Sequence, residues 1–408
     1  MSRVLEQLQR THESAEIWWD SSPLDFPAWR DGLLAGAPDS TTRQRWASRL
    51  DGFLDPGRAD RALVRGVTTN PSLVAASVLA DVPRWESWLR AAIRDDEITD
   101  PEDAFGTVYE EVLRRAANFM RPQWNATAGR YGWVSGQLDP RLMFEPERMR
   151  DQGRRFAAIA PNLMVKVPGS AQGYQVVRAL VAEGISINGT LSYTVPQFAA
   201  CARAVEDGLA EAHAKGRDLS RWRAVFTHMV GRFGANVDLR MEAAARGISL
   251  ETSDLRWAEL AILKRIHGLI QERSLPVKLL LSSLQTDEPA DGWFSAHLEQ
   301  SSGADVAYTC KPSFIAELIR REDEFGGFRP DGIDQEVPPE VLAKLLRLPS
   351  FRDAYAEDGM APPEFAHYGC FISTYAEVMQ NNRALLDFAS RQLHHAERSR
   401  TPLLATSR

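Results

Sequence analysis

Eight short apolar runs alternate with stretches of helical periodicity, and this alternation constrains the fold more than any other feature. The runs are Glu16–Asp20 (EIWWD), Leu63–Thr68 (LVRGVT), Gly132–Gln137 (GWVSGQ) and Leu163–Val167 (LMVKV), then Ile185–Thr190 (ISINGT), Arg223–His228 (RAVFTH), Val277–Ser282 (VKLLLS) and Asp305–Thr309 (DVAYT). Between them, Gln175–Glu183, Pro196–Lys215 and Asp254–Gln271 have helical spacing; in the last, Leu255, Ala258, Ile262, Ile266 and Leu269 share a face. Strand alternating with helix builds βα units and a parallel sheet, and eight such units predict an α/β fold, the TIM (β/α)8 barrel. A doubly wound open sheet is the alternative, but neither GxGxxG nor GxxxxGK follows any strand.

The spacing is uneven. More than 60 residues, mostly helical and charged, separate the second and third runs. They are read as a helical insertion after strand 2. Residues 1–320 are assigned to the barrel. Residues 321–408, with Pro- and Gly-rich loops and a helix over Ile372–Arg391, are read as a helical extension packed on it. The tail HHAERSRTPLLATSR is expected to be disordered.

Composition excludes several classes. A net charge of −7 argues against a general nucleic-acid surface. No apolar run approaches the ~20 residues of a membrane span, and the N-terminus lacks the apolar core of a signal peptide. Cys201, Cys310 and Cys370 are far apart and odd in number, which suggests neither a disulfide framework nor a zinc site. A cytoplasmic location is the default expectation. No metal is expected, since His394 and His395 form no ligand constellation. The oligomeric state, monomer or homodimer, stays open.

In such barrels the site lies at the C-terminal ends of the strands. Polar residues gather there: Asp20, Thr68–Asn70, Gln137–Asp139, Lys166, Asn188, Thr190, Thr227–His228, Ser282–Ser283, Thr309 and Lys311. Lys166 stands out because it interrupts an apolar strand. Burying an ammonium is costly, and burial lowers its pKa toward a nucleophilic amine. The alternative is an edge lysine with its head in water. Asp20 can equally be read as a turn residue before Ser21–Pro23, Asn70 as an Asn-Pro turn, and Arg232 as the partner of a surface carboxylate. His228 is read as a satisfied structural histidine. One of Trp18 and Trp19 should line the barrel interior.

The stretches GVTTNPSLV (66–74), LMVKVPG, EGISINGTLS and MVGR (229–232) resemble the transaldolase family, in the family's order. WWDSS, VSGQLDPRL and TCKPSFIAEL resemble its first-, third- and eighth-strand segments. The resemblance covers residues 14–320 and is nearest to a longer, actinobacterial-like branch. It implies a barrel that moves a dihydroxyacetone unit between sugar phosphates through a lysine Schiff base, without metal or organic cofactor. By position, Lys166 would form the Schiff base and Asp20 would be the acid/base. Asn70 and Asn188 would bind the sugar, and Thr190 would place the catalytic water. Arg232 and Thr227 would hold the phosphate, with Ser282 also at the site.

Three positions depart from the family pattern. Gln137 stands where a glutamate usually activates the proton-relaying water. An amide can position a water but cannot take its proton. Fructose-6-phosphate aldolases also carry glutamine there, paired with a sixth-strand tyrosine; the matching residue here is Met229. Gln285 stands where some members place a second phosphate arginine. Lys311 stands where a small or apolar residue is usual, and would either depress the pKa of Lys166, hold an anion, or be solvated at the rim. The expectation is a diverged member with retained Schiff-base chemistry and weak pentose-phosphate transaldolase activity. A diverged aldolase of specialised metabolism, or a non-catalytic sugar-phosphate-binding barrel, are the alternatives.

Overall fold

A computed structural model describes residues 3–59, 61–235, 237–288 and 292–400. Eight parallel strands close into a barrel in sequence order: β1 (Glu16–Asp20), β2 (Val64–Thr68), β3 (Trp133–Gln137), β4 (Leu163–Pro168), β5 (Ile187–Ser192), β6 (Ala224–His228), β7 (Lys278–Leu281) and β8 (Val306–Cys310). All eight coincide with the runs read from sequence, to within two residues at their ends.

Successive strand side chains point to opposite faces, so each strand divides its residues between the barrel interior and the surrounding helices. Ile17, Trp19, Val67, Val134, Val165, Val167, Ile187 and Phe226 join the large outer core beneath the helices. Their neighbours point inward and form two layers. The lower is apolar and fully packed: Trp18, Trp133, Met164, Val225, Leu280 and Ala307, with Trp124 beside them. The upper is polar and lies at the C-terminal ends of the strands. Trp18, not Trp19, is therefore the interior tryptophan. Gly66 on the neighbouring strand is required by it, because a Cβ there would lie 2.5 Å from the Trp18 ring.

Three helices fill the segment between β2 and β3: Pro71–Ala80, Val82–Asp95 and Pro101–Ala126. The last is tied to the barrel by Tyr109, whose hydroxyl donates to the Gln137 carbonyl at 2.9 Å. After β8 and the helix Pro312–Arg320, shorter elements lead to a helix spanning Gly369–Arg400. It packs against the helices of the inserted segment. Asn381 donates to Ser72 after β2 at 2.8 Å, and Asn382 to Asp139 after β3 at 3.2 Å. The Cys370 thiol approaches the Arg232 carbonyl after β6 at 3.6 Å. The helix thus crosses the C-terminal mouth of the barrel. It also corrects one expectation: residues 394–400, read as disordered tail, continue this helix. The buried Leu385, Phe388 and Leu393 anchor the turns before them. Residues 401–408 lie outside the described residues.

The three cysteines are buried and unpaired by disulfides. No helix among the described residues is long and apolar enough to cross a membrane.

Candidate active site

A cavity of about 110 Å³ opens at the C-terminal end of the barrel. Its walls include Asp20, Asn70, Gln137, Lys166, Thr190, Thr227, Arg232, Ser282 and Lys311, all named from the sequence. Asn188 lies directly beneath, fully buried.

Lys166 projects inward because Val165 and Val167 turn to the helices. It is 5 % exposed, and its ammonium nitrogen donates to the Thr69 carbonyl at 3.2 Å. Burial lowers its pKa to about 8, opposed by the nearby Asp20 carboxylate. Enough amine is therefore unprotonated near neutrality to attack a carbonyl. Gln137 is its register partner on β3, and Asn188 its register partner on β5.

Asp20 ends β1 at 6 % exposure. It faces the interior and not a turn; Ser22 caps the short helix that follows. The Thr68 hydroxyl donates to Asp20 Oδ1 at 2.7 Å. Thr68 also bonds Thr309. A hydroxyl has one proton, so Thr309 is the donor to Thr68 when Thr68 serves Asp20. Two threonines thus hold the carboxylate without neutralising it.

A second chain runs through Asn188. Its amide nitrogen donates to Ser135 Oγ at 2.9 Å, and its Oδ1 accepts from Thr227 Oγ1 at 2.7 Å. One N–H and one lone pair of Asn188 remain for a ligand. The single proton of Thr227 is spent on Asn188. Asn70 serves two purposes: its side chain caps the helix Pro71–Ala80 by accepting from Leu73 N at 2.9 Å, and it lines the cavity. The Ser282 hydroxyl is buried and has no hydrogen-bond partner in the protein. Leu191 and Ser283, both in the cavity wall, hold left-handed backbone at φ 53° and φ 60°. Such strain in non-glycine residues concentrates at functional sites.

At the mouth, Arg232 has the carboxylate partner that the sequence left open as an alternative. Arg232 is bound by Glu377 of the C-terminal helix, in a two-pronged ion pair at 2.6 and 3.2 Å. Thr374, Glu377 and Val378 complete the cavity wall. Lys311 stands exposed at the same mouth, close enough to lower the pKa of Glu377 together with Arg232. Gln285 does not reach the cavity. Its amide donates to the Gly231 carbonyl at 3.2 Å and accepts from Arg256 at 3.3 Å. Arg256 belongs to a buried cluster with Glu259, Asp287 and His297 that braces the loops after β6 and β7.

Sequence reasoning missed Glu377, Thr374 and Ser135. Glu377 lies 145 residues from its partner on a segment read as peripheral, and no local signal marks it. The inward period-2 position of Ser135 on β3 was available as a signal. His228 is fully buried on the outer face of β6, and burial, with His297 nearby, lowers its pKa to about 3. It is a neutral, buried histidine outside the cavity wall.

A closed parallel barrel with a sheltered lysine, an inward carboxylate and a ring of neutral hydrogen-bonding groups defines a class: (β/α)8 barrels with a buried lysine in a polar cavity at the C-terminal mouth. The family model for Transaldolase/Fructose-6-phosphate aldolase matches residues 55–358, and the chain belongs to that family. It is 33% identical to a transaldolase of Thiobacillus denitrificans over 327 residues, covering 78% of this chain and 85% of that protein. With a transaldolase of Thermobifida fusca it shares 36% identity over 210 residues, 51% of this chain and 55% of the relative. With one of Acidothermus cellulolyticus it shares 34% over 244 residues, 57% and 64% respectively. Against these last two, the chain spans between half and two thirds of the relative's length.

Proposed function

We propose that this protein forms a Schiff base between Lys166 and a ketose, then transfers or cleaves off a dihydroxyacetone unit. The observation that carries this reading is the placement of Lys166: buried, facing the cavity, with a pKa near 8 and Asp20 close by.

The free amine of Lys166 attacks the ketone carbon, and loss of water leaves a protonated imine. Asp20 accepts the proton of the hydroxyl on the far carbon of the bond to be broken, the carbon that becomes the aldehyde. That carbon–carbon bond then breaks, its electron pair moves into the imine, an aldehyde leaves and an enamine stays on Lys166. For transfer, the enamine carbon attacks an acceptor aldehyde, and Asp20 returns the proton to the new hydroxyl. Water then hydrolyses the imine and frees Lys166. For cleavage alone, the enamine carbon is protonated before hydrolysis. Asn70, Asn188 and Ser282 provide neutral bonds to substrate hydroxyls, and Thr190 holds the water.

Gln137 sits where the relaying water would need a base. General-base help is worth roughly 10²–10⁴-fold in rate, so the steps that make and lose water are slow here. The pentose-phosphate reaction is expected to be weak, and the chemistry is that of a transferase of aldehyde or ketone groups.

Borohydride reduction in the presence of dihydroxyacetone, fructose and fructose 6-phosphate tests the proposal. An added mass matching one reduced ketose per chain supports it. No adduct with any carbonyl donor supports a non-catalytic binding barrel instead.

A further inference from the structure

Arg232 is the one arginine in the cavity wall, and the protein itself fills its fork. Glu377 places both carboxylate oxygens on the guanidinium, the geometry in which arginine otherwise grips a phosphate. The carboxylate is not on a loose tail. Toward its N-terminal side the helix is fixed by Cys370 against Arg232 and by buried Phe371. Beyond Glu377, Asn381 and Asn382 bond the loops after β2 and β3, and Gln392 bonds Glu86 at 3.0 Å. Glu377 lies between these anchors and is held over the mouth.

Two other groups that could meet a phosphate at this end are engaged within the protein. Thr227 has given its proton to Asn188. Gln285 is neutral and turned away onto Gly231 and Arg256. Lys311, exposed at the mouth beside the Glu377 carboxylate, is a cation that an anion can still meet. Ser282 adds a neutral hydroxyl with no protein partner, suited to a sugar hydroxyl. The cavity volume of about 110 Å³ is small beside the roughly 300–1,000 Å³ of ordinary ligand pockets, and Thr374, Glu377 and Val378 of the C-terminal helix form part of its wall.

We infer that Glu377 makes this site select a ketose carrying no phosphate at the end that faces Arg232. A phosphate there meets a fixed carboxylate and must break its ion pair; a neutral polyol meets neither penalty. This inference rests on the Schiff-base reading for its chemistry and on Glu377 for its selectivity.

The test compares fructose and fructose 6-phosphate as trapped by borohydride on the native chain and on Glu377→Gln, with Glu377→Ala as a second variant. Glu377 is half exposed, so both substitutions leave the packing intact. The ratio of trapping efficiency, fructose 6-phosphate over fructose, is expected to rise roughly tenfold to a hundredfold in the variants, the worth of a charge-assisted hydrogen bond regained by Arg232. Calorimetric titration with inorganic phosphate needs no lysine chemistry. It is expected to show binding in Glu377→Gln and none in the native chain. An unchanged ratio, a native preference for fructose 6-phosphate, or equal phosphate binding by both proteins overturns the inference. If neither ketose is trapped by any variant, the Schiff-base reading fails, and the phosphate titration still decides whether Glu377 bars the anion.

Discussion

Gln137 and Lys166 are register partners on adjacent strands, so the residue that departs most from the family pattern stands beside the amine that chemistry would use. The Gln137 side chain lines the cavity at 4 % exposure. Replacing it with glutamate supplies a proton acceptor without changing size. Turnover of fructose 6-phosphate with an aldehyde acceptor, followed in a coupled assay, is expected to rise in Gln137→Glu toward the roughly 10²-fold lower end of general-base help. An unchanged rate means that the missing base does not limit the reaction.

The lowered pKa of Lys166 sets a pH dependence. Below about 8 the free amine is a shrinking fraction; above it, the nucleophile is mostly free. The trapping rate with dihydroxyacetone should therefore rise with pH and level off above about 8. A profile still climbing toward the ordinary lysine value would show that the amine is solvated.

Asp20 and Lys166 are expected to fail at different steps. Asp20→Asn keeps the Thr68 bond but removes the proton acceptor for carbon–carbon cleavage. Trapped dihydroxyacetone should persist in this variant, while cleavage of a ketose falls by roughly 10²–10⁴-fold. Equal loss of both activities would place Asp20 in imine formation instead.

The apolar layer below the site carries stability. Trp18 is fully buried and packs between Trp133, Met164 and Leu280 inside the barrel. Trp18→Ala leaves a cavity with no room to collapse, and is expected to cost about 3–5 kcal/mol in urea unfolding. A loss within the ±0.5 kcal/mol usual for surface positions would mean the interior repacks.

The barrel was legible in the sequence because its information is local. The inward and outward alternation in EIWWD and LMVKV states both the burial of the strand and the side that faces the site. The same alternation placed Asp20, Lys166, Thr190 and Thr227 at one end of the barrel. What sequence reading could not give is long-range. The Glu377–Arg232 pair joins two segments that share no periodicity, and it turns an expected phosphate grip into an occupied one. Thr227 was visible as a strand-end hydroxyl, but the use of its proton by Asn188 depends on the closeness of β5 and β6. The helical course of 394–400 follows from anchors such as Phe388 and Leu393 meeting the inserted helices, where the polar tail composition pointed to disorder.

Peptide mapping after borohydride reduction with dihydroxyacetone at pH 8 tests the central claim most directly, because two lysines line the cavity and only Lys166 is buried. The added mass should fall on the peptide bearing Lys166 and vanish in Lys166→Met with the melting temperature preserved. An adduct on Lys311, or none at all, would contradict the account.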